Sequence, residues 1–319
     1  MLYMTMTFTQ LATFRAVARS GSVTAAAEHL VVTQPSVTAA LSALSRQLGV
    51  ELTERAGRSI RLTPAGRAFL PFAVDVLGLV EQGKQAAREA AGATARQVRL
   101  AAVTTAGEYL VPPLLQAFAA RHPDISLTLE VANRQQVFQR VLEHEADVAI
   151  AGRPPTGGRL IGRPFLPNDL ALIIAPEDPL AVRRSVPVEE LEARTWLLRE
   201  EGSGTRTMVE EFLAHHDLRP DTLTLGSNGA IKHAVRVGLG VSLQSRIAVD
   251  LELESGVLAT VTVRGGLPVR HWYALLSATG PVRPSVEAFF QFVASADARA
   301  AIEAAQQVMR GDRGAGSSA

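Results

Sequence analysis

Hydrophobic residues follow two different rhythms along this chain, one in roughly the first ninety residues and another beyond them. Near the start, Phe8, Leu11, Phe14, Val17 and Ala18 recur at helical spacing, and Gly21 closes the run. Ser22 is placed to cap a second helix, Val23–Leu30, whose Ala25, Ala26 and Ala27 allow a neighbouring helix to approach closely. After a short Val31-Val32 turn, Thr33 caps a third helix with Pro35 in its first turn, where a missing N–H costs little. Val37, Ala40, Leu41, Leu44 and Leu48 share one face of it, and Gly49 stops it. Leu52, Ile60 and Leu62 then flank Arg55-Ala56-Gly57-Arg58, a glycine-containing turn that fits a small β-wing. From Thr63 to about Gly92 runs an alanine-rich helical pattern with a stripe of Phe69, Ala73, Val76, Leu77 and Val80. At ~1.5 Å per residue it would extend about 40 Å. The stripe has no evident partner within its own domain, which points to dimerisation, and Pro71 predicts a kink or loosened turn.

Beyond residue 97 the rhythm changes to short apolar runs alternating with amphipathic stretches, the signature of an α/β domain with a largely parallel sheet. The strand candidates are Val98–Val103, Ser126–Val131, Val148–Ala151, Leu170–Ala175, Trp196–Leu198, Leu223–Leu225, Val241–Leu243 and Trp272–Ser277. Helices are expected between them, among them Glu108–Arg121, Gln135–Glu143, Thr205–His216 and Ala230–Val237. Ala91–Ala95 reads as a linker, and residues 301–319 as a disordered tail.

Composition narrows the chemistry. The 319 residues contain no cysteine, which excludes disulfides, zinc-thiolate sites and cysteine nucleophiles. Neither a secretory signal nor an uninterrupted apolar span is apparent, so a cytoplasmic location without membrane contact is expected. Net charge is only +1, but residues 1–66 carry six arginines against three glutamates, a modest basic footprint on a neutral body. The pairs His215-His216 and His144-Glu145 lack metal-ligand spacing, and no cofactor motif is complete: Gly238-Leu239-Gly240-Val241 misses the third glycine of a dinucleotide fingerprint.

The segment Ser22–Leu44 has what a helix-turn-helix needs: two short helices, a tight turn, small residues at the crossing and a polar first turn on the second helix. The whole stretch 6–66 resembles the winged helix-turn-helix of LysR-type transcriptional regulators. The resemblance is carried by Ala26-Ala27-Glu28-His29-Leu30, Gln34-Pro35-Ser36-Val37-Thr38, Leu48-Gly49-Val50-Glu51-Leu52 and Leu62-Thr63-Pro64-Ala65-Gly66. It implies that Thr33, Gln34, Pro35, Ser36 and Thr38 sit at the DNA groove, with Arg55 and Arg58 in the wing. The chemistry agrees: a Gln amide can pair with adenine N6/N7, Pro35 and Ala39 can meet thymine methyls, and the arginines can reach phosphate or the minor groove. The competing reading for each arginine is a solvated loop charge. Where the family often has Arg and Phe, this chain has Ala39 and Thr53, so sequence readout is expected to lean on DNA shape and wing contacts.

Residues 97–300 resemble the LysR effector domain, a periplasmic-binding-protein-like (type 2) fold of two α/β lobes with ligand held between them. The implied layout is a winged helix-turn-helix over 6–63, a dimerisation helix over 64–92, lobe I over 97–165 and 269–300, and lobe II over 166–265. Candidate ligand groups lie at strand-to-helix junctions, where free N–H groups favour anions: Thr104, Thr105, Asn133, Gln135, Arg153, Ser203, Thr205 and Asn228. Plain N-capping is the competing reading for Ser203 and Thr205. The strings Val131–Val137, Ala151–Pro155 and Arg199–Arg206 are similar to those of the CbbR-like regulators of Calvin-cycle genes, which respond to phosphorylated or nucleotide metabolites.

The function expected is therefore ligand-responsive transcription control without catalysis. Its partners would be double-stranded promoter DNA, a small anionic metabolite, RNA polymerase and further copies of the chain in a homodimer or homotetramer. Two other classes fit less well: a solute-binding protein for transport, against which the N-terminal winged helix argues, and a hydrolase using Ser203, which lacks a partner base.

Overall fold

Capping chemistry sets most of the N-terminal boundaries. Thr7 and Gln10 form a capping box that starts α1, Phe8–Ser20, and Gly21 at φ 62° ends it. Ser22 caps α2, Val23–Leu30; Thr33 caps α3, Gln34–Leu48, and Gly49 at φ 71° closes it. Strands β1, Thr53–Ala56, and β2, Ser59–Leu62, pair antiparallel as the wing. The wing is tied back to the first helix by the Ile60 amide donating to the Gly21 carbonyl at 2.8 Å. Thr63 caps α4, Pro64–Ala90. The computed structural model describes residues 6–57 and 59–311, without the side chains of 309–311. Its contacts divide the chain at Thr94 into two units, each with its own core.

The first unit is organised around Phe14, Val17, Ala26, Val37, Leu44 and Leu52. The apolar stripe of α4 is not unpartnered as the sequence suggests: Ala73 is buried, Phe69 and Leu77 pack on this same core, and the Phe69 ring lies 5.7 Å from that of Phe14. Val76, predicted as part of that stripe, stays exposed beside Phe72. Packing also explains why α4 runs unbroken through Pro71. A mid-helix proline costs about 3 kcal/mol. Full burial of a Leu or Phe side chain is worth roughly 1.5–3 kcal/mol, so several partly buried ones on one stripe offset it.

The second unit begins with β3, Arg96–Val103; α5, Thr104–Tyr109; α6, Val111–Arg121; and β4, Ile125–Ala132. Then come α7, Arg134–Leu142; β5, Val148–Ala151; and β6, Leu160–Pro167. The chain crosses into a second lobe with β7, Leu170–Ile174; β8, Trp196–Leu198; α8, Gly204–His215; β9, Thr222–Thr224; α9, Asn228–Arg236; and β10, Ser242–Ser245. That lobe ends with α10, Asp250–Glu254, and β11, Ala259–Val261. The chain then returns to lobe I as β12, His271–Ser277; α11, Pro284–Val293; and α12, Ala296–Gly311.

Lobe I is one sheet in the order β4-β3-β5-β12-β6. Its β3 pairs parallel with β4 and β5, while the returning β12 pairs antiparallel with β5 and β6. Lobe II departs further from a largely parallel expectation: β10-β7-β11 is antiparallel throughout, while β8 and β9 run parallel. Both differences follow from the chain passing twice between lobes. The two passages touch where the Asn168 amide donates to the Arg270 carbonyl at 2.9 Å. Helix α12 stays helical through Gly311 and sends Ala298 and Ile302 into the lobe I core. Residues 301–311 are thus not a disordered tail, because an apolar stripe on that helix finds a place to pack. Residues 312–319, the rest of the expected tail, lie outside the described residues.

Candidate functional site

Two places gather the groups that the sequence singles out. In the first unit, Thr33, Gln34, Pro35, Ser36 and Thr38 all lie exposed at the start of α3, with Val37 turned into the core between them. Three of the hydroxyls are engaged locally. Thr33 and Ser36 share a 2.8 Å hydrogen bond, and the Thr38 hydroxyl donates to the Gln34 carbonyl at 3.1 Å. The Gln34 side-chain amide has no hydrogen-bond partner among the described residues and is left to meet something else. Arg55 is exposed on β1; Arg58, its companion in the wing, lies outside the described residues. The turn feeding α3 is strained: Val31, 91% exposed, has φ 55°, a left-handed conformation that β-branched residues resist.

In the second unit, strand ends and helix starts from both lobes close around a cavity of about 50 Å³. Thr104, Thr105, Asn133, Ser203 and Thr205 line it. Asn133 caps α7, its Oδ1 accepting from the Gln136 amide at 3.0 Å, and Ser203 caps α8, its Oγ accepting from the Thr205 amide at 3.3 Å. These side chains are therefore caps as well as cavity walls. Gln135, Arg153 and Asn228 do not line this space. The Gln135 backbone amide instead bridges the lobes by donating to the Gly202 carbonyl at 3.2 Å. Asn228 is a second bridge: its Nδ2 donates to Thr105 Oγ1 at 3.1 Å, and its Oδ1 accepts from Arg199.

Three arginines that the sequence pattern does not single out line the same cavity: Arg134, Arg199 and Arg270. Arg199 is buried and held by both Glu200 oxygens, at 2.7 and 3.0 Å. Arg134 and Arg270 are different. Arg134 stacks over the Phe138 ring at 4.6 Å and donates to the Arg153 carbonyl at 3.2 Å, and neither arginine has an ion-pair partner among the described residues. Burial lowers the pKa of both; the neighbouring Arg270 charge lowers that of Arg134 further, and Glu211 pulls weakly the other way on each. Both stay cationic. Two partly desolvated guanidiniums on one cavity, offset only by Glu211, leave the site with an excess of positive charge.

Residues 8–67 match the bacterial regulatory helix-turn-helix protein, lysR family, and residues 91–298 match the LysR substrate binding domain. The chain belongs to the LysR family. It is a transcriptional regulator, not an enzyme, and the resemblance read from the sequence holds along its length. Over 292 residues this LysR-type regulator is 36% identical to the transcriptional activator CmpR of Synechocystis sp., covering 91% of this chain and 96% of that one. It is 35% identical over 294 residues to the RuBisCO operon transcriptional regulator of Allochromatium vinosum, again covering 91% and 96%. Among solved structures it is similar to the CcmR regulatory domain of Synechocystis in complex with 2-PG. There identity is 32% and the TM-score 0.59, covering 62% of this chain and 95% of that one. Arg134 and Arg199 of this regulator stand inside strings that the sequence already marks, so their neighbours were the available signal. Arg270 follows Pro268-Val269 on a crossover with no motif around it, and only the fold brings it to the cleft.

Proposed function

We propose that this regulator reads operator DNA through the exposed start of α3, with Gln34 contacting base edges and Arg55 and Arg58 anchoring the wing to the backbone, and that a small anionic metabolite seated between the lobes of its second unit alters that activity. The observation that carries the anionic reading is the Arg134–Arg270 pair, two partly buried cations that make no ion pair among the described residues and have only Glu211 acting on them, beside hydroxyls and helix starts. Thr104, Thr105, Asn133, Ser203 and Thr205 supply the neutral donors, while Gln135, Arg153 and Asn228 border the cleft. The 2-PG complex of CcmR makes 2-phosphoglycolate the natural first probe.

The remaining partners follow from the same reading. Two copies of the chain associate through the exposed Phe72 and Val76 face of α4, as a dimer or a pair of dimers. RNA polymerase is the machinery through which an operator-bound regulator acts. The place of work is the cytoplasm, where such DNA lies; no helix among the described residues is long and apolar enough to cross a membrane.

The test is calorimetric titration of 2-phosphoglycolate and other small phosphorylated or carboxylate anions into wild type, Arg270→Met and Thr104→Val. One charge-assisted hydrogen bond is worth roughly 1.5–3 kcal/mol, so Arg270→Met should weaken binding by about ten- to a hundredfold. Thr104→Val should weaken it less and leave DNA binding intact. Wild-type protein that binds none of these anions would overturn the anionic reading.

A further inference from the structure

Away from the inner cavity the two lobes also meet side chain to side chain, along α5 and α9. Thr105 and Tyr109 stand about one helical turn apart on α5, as do Asn228 and Lys232 on α9. The bond from Asn228 Nδ2 to Thr105 Oγ1, 3.1 Å long, makes an inner rung between the helices. Tyr109 and Lys232 make an outer rung: they are hydrogen-bonded, and both line a separate cavity of about 80 Å³. Lys232 is otherwise anchored within its own lobe, where its Nζ donates to the Ala248 carbonyl at 3.1 Å and pairs with Glu252 at 2.7 Å. Burial alone would lower its pKa, but Glu252 and Tyr109 outweigh burial and keep the ammonium charged. Tyr109 is the lobe I group that this anchored cation holds.

The two rungs differ in what parting them would cost. Thr105 and Asn228 are each more than nine-tenths buried, and Asn228 is braced by buried Arg199. Separating them would strand polar groups away from water, which is expensive. Tyr109 and Lys232 are only partly buried and border space enough for water, so a parted hydroxyl and ammonium can be hydrated at little cost. We propose that the α5–α9 contact is a hinge with a latch: the Thr105–Asn228 rung is the fulcrum, and the Tyr109–Lys232 rung is the catch that holds the lobes in one setting and lets go when they rotate. Thr104 and Thr105 begin the same six-residue helix and line the inner cavity, so releasing Tyr109 shifts cavity walls with it. Tyr109 and Lys232 are positioning residues for the response and do not line the inner cavity themselves. The latch follows from the lobe geometry alone; the anionic reading bears only on what tips it.

Pulsed electron paramagnetic resonance on the full-length protein, without ligand, tests it. The chain has no cysteine, so Ala300→Cys on α12 and Ala214→Cys on α8, both exposed positions, put one spin label on each lobe. Dilution with unlabelled chain removes distances between copies. The parent should show one dominant interlobe distance. Tyr109→Phe, which keeps the ring and removes the hydroxyl, should raise the population of a second distance about fivefold, the effect of losing one hydrogen bond. Lys232→Met should raise it at least as much, and the double substitution should do no more than Lys232→Met alone, as a coupled pair requires. A distance distribution unmoved by Tyr109→Phe would overturn the latch, and so would effects of the two substitutions that simply add. Where Lys232→Met fails to fold, the Tyr109→Phe distribution decides alone. Because the readout needs no ligand, the latch and the anionic reading can fail separately.

Discussion

The start of α3 and the interlobe cleft are both built from helix N-termini, yet they are opposites in charge and exposure. At α3 the first turn is exposed, uncharged and polar, with one free amide at Gln34. Around the cleft Asn133 and Arg134 at the start of α7, and Ser203, Gly204 and Thr205 at the start of α8, are partly or fully buried, and Arg134, Arg199 and Arg270 line the same cavity. The difference teaches what each end can recognise. Base edges are neutral patterns of donors and acceptors, so a reader needs amides and hydroxyls, and charge belongs on the wing that meets phosphate. A small anion in a pocket needs the reverse: desolvated cations close at hand and neutral donors to orient it.

The comparison can be broken at either end without touching the other. Gly66 lies in the first turn of α4, and a Cβ there would stand 2.0 Å from the Leu52 carbonyl oxygen. Gly66→Val should therefore cost about 4 kcal/mol in the first unit, within the range of severe overpacking, and abolish DNA binding while anion binding persists. Paired unfolding and titration curves would check it. In lobe I, Asp147 is buried between Arg99, at 2.8 Å, and Arg283, at 2.9 Å. Asp147→Asn leaves Arg283 buried without its acid and should destabilise the second unit by about 3 kcal/mol, sparing DNA binding.

Asp147 also fixes a pH dependence. Burial alone would raise its carboxyl, but hydrogen bonds from Arg99 and the charges of Arg99 and Arg283 outweigh burial and hold it below the usual carboxylate range. A depressed native pKa means stability that is complete above about pH 4 and lost as the pH falls through the native value. Thermal melts of wild type and Asp147→Asn should accordingly converge at low pH; melts that stay equally far apart throughout acidification would contradict the assignment.

Smaller changes sharpen the contrast within the DNA-reading end. Gln34→Ala should cost about 1–3 kcal/mol at a cognate operator and relax preference at particular bases, whereas Arg55→Ala should weaken all sequences alike and flatten the salt dependence. Binding titrations on cognate and scrambled DNA at several salt concentrations separate the two. Smallest of all, Val31→Gly relieves the left-handed turn before α3 and should stabilise the first unit by about 1 kcal/mol, read by denaturant midpoint.

Legibility in the sequence differs between these regions for physical reasons. Caps and stops in the first unit are local chemistry, and Ser22, Thr33, Pro35 and Gly49 stand where the pattern places them. The partner of the α4 stripe is hidden because it is non-local: Phe69 meets Phe14 from a distant part of the chain. Strand β6 is missed because Gly162, Pro164 and Pro167 disguise it, and a sheet edge is where proline is tolerated. Helix α5 starts at Thr104, earlier than the Glu108 expected from apolar spacing, since Gly107 lets it press against Val131. Of the cleft, the polar caps are legible because they precede helices. Arg270 is not, because a residue on a crossover gains its meaning from two lobes that the sequence does not show side by side.

Arg270 lines the cleft, and its carbonyl accepts from the Asn168 amide of the other crossover, so one residue belongs to both the proposed binding surface and the link between the lobes. If the proposed anion favours one arrangement of that link, the link must in turn favour the anion, since thermodynamic coupling is reciprocal. A substitution beside Asn168 that touches no ligand would then register in a titration as a changed dissociation constant, and the titration would report on the link between the lobes.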